Sequence, residues 1–150
     1  MQPEVEVRPE PGSSELAWAA AGRGICGNSR LGASLNGPIR KYVYAGAISR
    51  DPDAVAELFA EDGVLEAPLV PLRLVGREAI RGGVGQLQRE PSGVIDVGRS
   101  GYVLHETGDP GVFVAEIDTV FEGGGTISLV QIFRVRDGLI TLLRDYFRAP

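Results

Sequence analysis

The segment ITLLRDYFRAP, residues 140 to 150, carries Asp145 in the middle of an apolar, strand-forming run. An ionised carboxylate in a half-buried strand is costly unless it is paired, solvated or used. Turned into an apolar cavity, Asp145 would be raised in pKa by desolvation and poised to move a proton. Turned outward, it would be solvated or paired with an arginine. Alternation does not choose between the two. Leu143, Asp145 and Phe147 share one face, Leu142, Arg144 and Tyr146 the other, and both faces carry apolar side chains. Other chemistry-bearing residues are weaker candidates. His105 is the only imidazole and could shuttle protons near neutral pH, yet no nucleophile accompanies it in sequence. Glu116 and Asp118 stand two apart, on the strand face opposite Ile117, Thr119 and Phe121. Such a pair invites acid–base or cation chemistry; the plainer reading is a face turned to solvent or to a partner. Cys26 lacks the basic surroundings that activate a thiol. The glycine runs EGGGT and IRGGVG lack the lysine and the strand–helix context of a phosphate loop.

These residues must be held by elements whose punctuation is legible. GPIRKYVYAGAIS predicts a helix opening at Pro38, with Ile39, Tyr42, Val43 and Gly46 on one face. RDPDAVAELFAEDG predicts a second helix, capped by Asp51, with Val55, Leu58 and Phe59 as its apolar stripe and Gly63 as a left-handed end. VLEAPLV (64–70) reads as a strand, followed by a loop through Pro71. GREAIRGGVGQL (76–87) reads as a third helix weakened by its glycines. Beyond Pro91 the pattern turns to strands over 93–108, 111–123, 126–138 and 139–147, separated by GDPG, EGGG and RDG. Gly98 and Gly101 are natural places for a bend. Helices followed by an antiparallel meander make an α+β layout, helices on one face of a curved sheet. A bent sheet closed in this way leaves a conical, mainly apolar cavity suited to a small molecule.

Length and composition bound the rest. One hundred and fifty residues suit one domain. A net charge of −5 and a single lysine, Lys41, among fifteen basic residues offer no electrostatic footprint for nucleic acid. One cysteine and one histidine make neither an internal disulfide nor a structural zinc site. No apolar stretch approaches the roughly 20 residues of a membrane span, and LAWAAAG (16–22) is short for a signal-peptide core, so a cytoplasmic protein is expected. Residues 1–36, rich in Pro, Glu, Gly and Ser, read as a flexible tail with one short helical stretch around Trp18. Residues 37–150 read as the folded domain.

The run of a helix, DPDAVAELFAEDGVLEAP, GREAIRG and a long meander ending IFRVRDGLITLLRDYF resembles the SnoaL-like, nuclear-transport-factor-2-like superfamily. That group includes ketosteroid isomerase, polyketide cyclases and limonene epoxide hydrolase. The resemblance covers roughly residues 37 to 148 and implies a cone-shaped antiparallel sheet packed against three N-terminal helices. One fold of this kind hosts many activities. LLRDYF is similar to the last strand of limonene epoxide hydrolase and sets Asp145 on a catalytic acid of the pocket wall. That hydrolase's water-holding pair falls on Leu65 and Ala67, and its arginine and second aspartate on Ile117 and Thr119, so its relay does not carry over. The ketosteroid isomerase overlay matches the oxyanion tyrosine to Tyr42, sets Gln131 near the protonated oxyanion aspartate, and leaves Ala67 where the base would be. The resemblance thus implies catalytic roles for Asp145, Tyr42 and Gln131, in a pocket lined by Leu65, Ala67, Ile117, Thr119, Leu129, Leu143 and Phe147. It implies no metal or organic cofactor, a hydrophobic oxygenated substrate, and a homodimer through the outer face of the sheet. Isomerisation, aldol-type cyclisation and epoxide opening all fit that set. A binding or dimerisation module without chemistry is the competing reading.

Overall fold

Asp51 opens the clearest local element. Its Oδ1 accepts from the backbone N–H of Asp53 at 3.0 Å and of Ala54 at 3.1 Å, and Pro52 occupies the first turn. Two orphan amides are thereby satisfied. The computed structural model describes residues 37–43, 45–46, 50–89 and 93–148. The expectations for residues 1–36, including Trp18 and Cys26, lie outside the described residues. In chain order the elements are helices α1 (Gly37–Val43) and α2 (Pro52–Glu57), strands β1 (Phe59–Ala67) and β2 (Leu72–Val75), helix α3 (Arg77–Arg89), then strands β3 (Gly101–Glu106), β4 (Val112–Val120), β5 (Thr126–Arg136) and β6 (Leu139–Tyr146). The strands form one sheet in the order β2-β1-β6-β5-β4-β3. The meander β3 to β6 is antiparallel as expected, whereas β1 runs parallel to β6.

Three local expectations are corrected. The second helix stops at Glu57 instead of reaching Gly63, because Phe59 is drawn into β1, pairs with Ile140 and is fully buried. Burial of a phenylalanine outweighs the few tenths of a kcal/mol per residue of helix propensity. Gly63 is consequently no helix cap. It sits at an irregularity between Phe59 and Val64 in the pairing with β6, where an added Cβ would lie 2.9 Å from Ala60 O and 3.0 Å from Ile140 O. The loop after Ala67 contains a strand, β2, whose Leu72 and Leu74 pack against the core while Arg73 reaches Glu66. The strand expected over 93–108 shortens to β3. Before it, Asp96 binds the Arg99 side chain at 2.6 Å, and buried Ser100 accepts from the Val120 N–H at 2.9 Å, closing a turn.

The inner face of the sheet is built from Leu65 and Ala67 of β1, Tyr102 and Leu104 of β3, Phe113, Ala115 and Ile117 of β4, Gln131, Phe133 and Val135 of β5, and Ile140 and Leu143 of β6. Residue 140 and residue 143 can share a face only if one residue is extra. The register supplies it: Val135 opposes Ile140 while Arg134 opposes Leu142, so Thr141 bulges. From there alternation carries Asp145 to the inner side, opposite Gln131. Helices close this face. Helix α1 packs on β6, and α3 lies against β1 and β2 with Ile80 and Val84 buried. On the outer face Glu66 of β1 bridges Arg73 at 3.0 Å and Arg144 at 3.2 Å, tying three neighbouring strands.

The close approach at Gly63 gives a paired expectation. Gly63→Ala should lower stability by about 1–3 kcal/mol through overpacking. Gly82→Ala, in α3 with nothing within 4 Å of its added carbon, should raise it by about 0.4–1 kcal/mol. Urea midpoints of the two variants measure both, and equal midpoints would contradict the placement of Gly63.

Candidate functional site

The inner face changes character along β5 and β6. Phe133 opposes Leu143 within the sealed core, and the next inward pair is Gln131 opposite Asp145. Strand pairing brings these two side chains together, and Gln131 Nε2 donates to Asp145 Oδ2 at 3.0 Å. Gln131 is 5% exposed. Asp145 as a residue is only partly buried, but its Oδ1 is sealed from solvent and has no hydrogen-bond partner among the described residues. Beside them stands Tyr42 of α1, its ring edge-on to Phe59 at 6.1 Å and to Phe133 at 5.4 Å. Tyr42, Gln131 and Asp145 line one cavity of about 240 Å³.

The electrostatics follow from burial. Desolvation pushes the Asp145 carboxyl up to about 6 against an ordinary 3.8, and the hydrogen bond from Gln131 opposes that rise. Desolvation also raises the Tyr42 phenol above its ordinary value, and the charge of Asp145 adds to it. At neutral pH the phenol therefore keeps its proton and can donate, while the carboxyl is largely ionised and can accept. Together they form a base and a hydrogen-bond donor facing the same apolar space, which is the equipment for moving a proton next to a polarised oxygen.

The structure distributes the expected lining residues between two places. Ile117, Thr119 and Leu129 stand on the cavity wall. Leu65, Ala67 and Leu143 are buried in the packed core and do not border the cavity, because Leu65 and Leu143 pair directly across β1 and β6. Phe147 follows the end of β6 and also lies off the wall. Cavity residues absent from the expected lining include Arg50, Leu87, Gln88 and Ile95, together with Val43, Gly46 and Phe121. Gln88 falls four and eight residues after Val84 and Ile80, the spacing of one helix face, so that signal was present. Arg50 carries none: it precedes the Asp51 cap with a left-handed φ of 50°, and its guanidinium donates to Gln88 O at 2.6 Å.

The other candidates lie elsewhere. His105 meets exposed Glu116 at 2.7 Å on the outer face, and Asp118 there accepts from Ser128 at 2.6 Å. A groove of about 630 Å³ runs across this outer surface, bordered by Glu116, Asp118, Val130 and Tyr146. Among the described residues no three His, Cys, Asp or Glu side chains converge to hold a metal ion. No described helix is long and apolar enough to cross a membrane.

Comparison with known proteins agrees with this layout. The SnoaL-like domain family matches residues 39–143. Among solved structures, a protein of ketosteroid isomerase-like fold from Catenulispora acidiphila, in complex with trimethylamine, aligns at 19% identity and a TM-score of 0.56 over 73% of this chain and 84% of its own. An NTF2-like protein of unknown function from Burkholderia xenovorans aligns at 18% identity and 0.58, over 81% and 88%. Another from Mesorhizobium loti aligns at 22% and 0.58, over 82% and 98%. No curated protein sequence matches the chain.

A raised carboxyl pKa has a consequence for stability. Between an unfolded value of 3.8 and a folded value near 6, the folded state holds more of this proton. The stabilising contribution is therefore complete below the lower value and is lost as pH rises through the upper one. Asp145→Asn should gain stability relative to the parent chain between pH 4 and 6.5, read by urea unfolding, and parallel curves would exclude a buried acid. Gln131→Met, which removes the opposing hydrogen bond, should raise the Asp145 midpoint further in a carboxyl-carbon NMR titration.

Proposed function

The chain belongs to the SnoaL-like domain family, and on that premise we propose that it is an enzyme moving protons on a hydrophobic, oxygenated small molecule. The observation that carries the reading is Asp145. Its carboxyl is raised to about 6, and the residue borders an apolar cavity together with Tyr42 and Gln131. A base of that strength is matched to proton abstraction near neutral pH. In this scheme Tyr42 donates a hydrogen bond to a substrate carbonyl oxygen, and Asp145 removes a proton from the adjacent carbon. The electrons of the broken C–H bond move onto the held oxygen as an enolate. Return of the proton at another carbon completes an isomerisation; attack of the enolate on a second carbonyl within the molecule completes an aldol-type closure. Neither route needs more than a base and a donor. Gln131 acts as a positioning residue, fixing Asp145 through its amide N–H. Epoxide opening has less support, since Leu65 and Ala67 supply no water holder and Ile117 no cation.

The trimethylamine bound by the Catenulispora relative supports reading the cavity as a small-molecule site here. We also place a homodimer contact on the outer sheet face, where Val130 is 37% exposed beside the Glu116 and Tyr146 groove. A binding module without chemistry draws support from Ala67, which leaves the isomerase base position apolar.

Asp145→Asn should abolish turnover of enolisable ketones while leaving ligand affinity within a few-fold. Tyr42→Phe should reduce kcat about 10²–10³-fold, the usual effect of deleting an oxyanion donor. In the parent enzyme kcat/KM should rise with pH through an apparent value near 6. Ligands that raise the melting temperature without any turnover across a ketone and polyketide panel would decide for the binding module.

A further inference from the structure

The cavity wall carries two charged side chains, and they come from different layers of the fold. Asp145 belongs to the sheet, in β6, whereas Arg50 stands just before the Asp51 cap of α2. Each has its own neutral partner. Asp145 accepts from Gln131 Nε2 at 3.0 Å, and Arg50 Nη2 donates to the main-chain Gln88 O at 2.6 Å, in the last turn of α3. None of the ion pairs among the described residues includes Arg50. Its other guanidinium nitrogens take no partner among the described residues and are not sealed from solvent. A tie to one carbonyl uses one nitrogen, while an arginine presents five N–H donors in a planar fork. That fork is also held in place. The backbone at Arg50 is left-handed, with φ 50°, and the next N–H, of Asp51, bonds Ala45 O at 3.2 Å. With backbone and tip both tied, less freedom is lost when the remaining donors are used. Leu87 beside this tie keeps 46% of its surface exposed, so the wall around Arg50 can be reached from solvent.

We propose that the ligand of this cavity carries a carboxylate held by Arg50, at the far side of its skeleton from the carbonyl that Tyr42 receives, so that the site selects apolar keto acids over neutral ketones. The proposal rests on the preceding reading for the place of the site and of the carbonyl in it, and adds the charge of the substrate. Hydrogen bonds from arginine to a carboxylate are charge-assisted and often bidentate, roughly twice as strong as those to a neutral group. An amide in the same place offers one acceptor oxygen and no charge. Arg50 is the only cation among the described residues of the wall, so a monoanion is matched and a phosphate dianion is not. The orientation follows from the same charges. A ligand carboxylate is repelled by ionised Asp145, which turns its acid end toward the helices and leaves the ketone end for the sheet. A cavity of about 240 Å³ admits a compact one-ring skeleton between the two.

The test is a two-dimensional amide NMR titration of the full chain at pH 7.5 with two probes, 4-oxocyclohexanecarboxylate and its neutral amide, 4-oxocyclohexanecarboxamide. The carboxylate should bind about tenfold more tightly or better, shifting the Arg50 Nε–H and the Gln131 side-chain signals. Its advantage should shrink in about 0.5 M NaCl, where the charge is screened. Arg50→Asn removes the charge with a residue that tolerates left-handed backbone. It should bring the two affinities within about twofold of each other by weakening the carboxylate alone. Arg50→Lys, which keeps the charge and loses the fork, should retain part of the preference. Equal affinity of the parent chain for the two probes, preference for the carboxamide, or no binding by either would overturn the proposal. So would Arg50→Asn if it kept the full preference, or weakened both probes alike as a purely structural tie to Gln88 would. The two readings fail separately. A carboxylate preference without any exchange of the probe's ring hydrogens beside the ketone would end the acid–base scheme and leave the anion site standing, whereas turnover of neutral ketones without that preference would do the reverse.

Discussion

One extra residue in the last strand decides where the acid of this protein points. Ile140 and Leu143 are both fully buried on the inner face although they lie three positions apart, and the bulge at Thr141 reconciles them. Thr141 Oγ1 donates to Arg134 O at 3.2 Å across the irregularity, so the misfit is hydrogen-bonded. Unbroken alternation from Ile140 would send Asp145 outward and turn Arg144 into the core. With the bulge, Arg144 instead faces out, forms an ion pair with Glu66 and lies over the Tyr146 ring at 5.4 Å. The cation–π contact and the ion pair are individually small at a partly exposed surface. The larger effect is hydrophobic: the bulge lets two large aliphatic side chains enter one core.

The same register explains why the cavity lies where it does. Moving along β5 and β6, the inward pairs pass from Phe133 and Leu143 to Gln131 and Asp145. The first pair belongs to a continuous apolar cluster that also takes in buried residues of α1, α2 and α3. The second stands where that packing gives way, beside Tyr42 at its border. A carboxyl there is held out of water, and its pKa rises in consequence. Folding tolerates this because a packed apolar end offsets one poorly satisfied polar end. An unsatisfied group in an otherwise consistent core is the kind of local conflict that points to use rather than to stability.

Element boundaries were legible where side chains speak for themselves. Asp51-Pro52 announced a helix start, and Asp137-Gly138 announced a tight hairpin, both residues adopting positive φ in the structure. Boundaries failed where distant burial decided. Phe59 has helical spacing with Val55, yet it belongs to a strand because β6 lies alongside it, with the Ile140 N–H bonded to Leu58 O at 2.8 Å. Strand β2 was hidden by its short length and two prolines nearby, and its pairing to β1 became visible only with the partner in place. In the site, Ile117, Thr119 and Leu129 were recoverable from strand parity, whereas Leu65, Ala67 and Leu143 share that parity but stand where the core is filled. Parity identifies a face and says nothing about depth along it.

By itself the sequence determined that the chain has helices before a meander, that its charge and cysteine content point away from nucleic acid and zinc, and which few polar residues sit in apolar strands. These properties are local: caps, turns and alternation act over a handful of residues. Only the tertiary structure decided that Asp145, Gln131 and Tyr42 share one cavity, that Arg50 and Gln88 join them at its wall, and that Glu116 and His105 do not. Those outcomes depend on register and on a bulge. Both are set by which large side chains fill a common core across strands far apart in the chain, and no window of neighbouring residues contains that information.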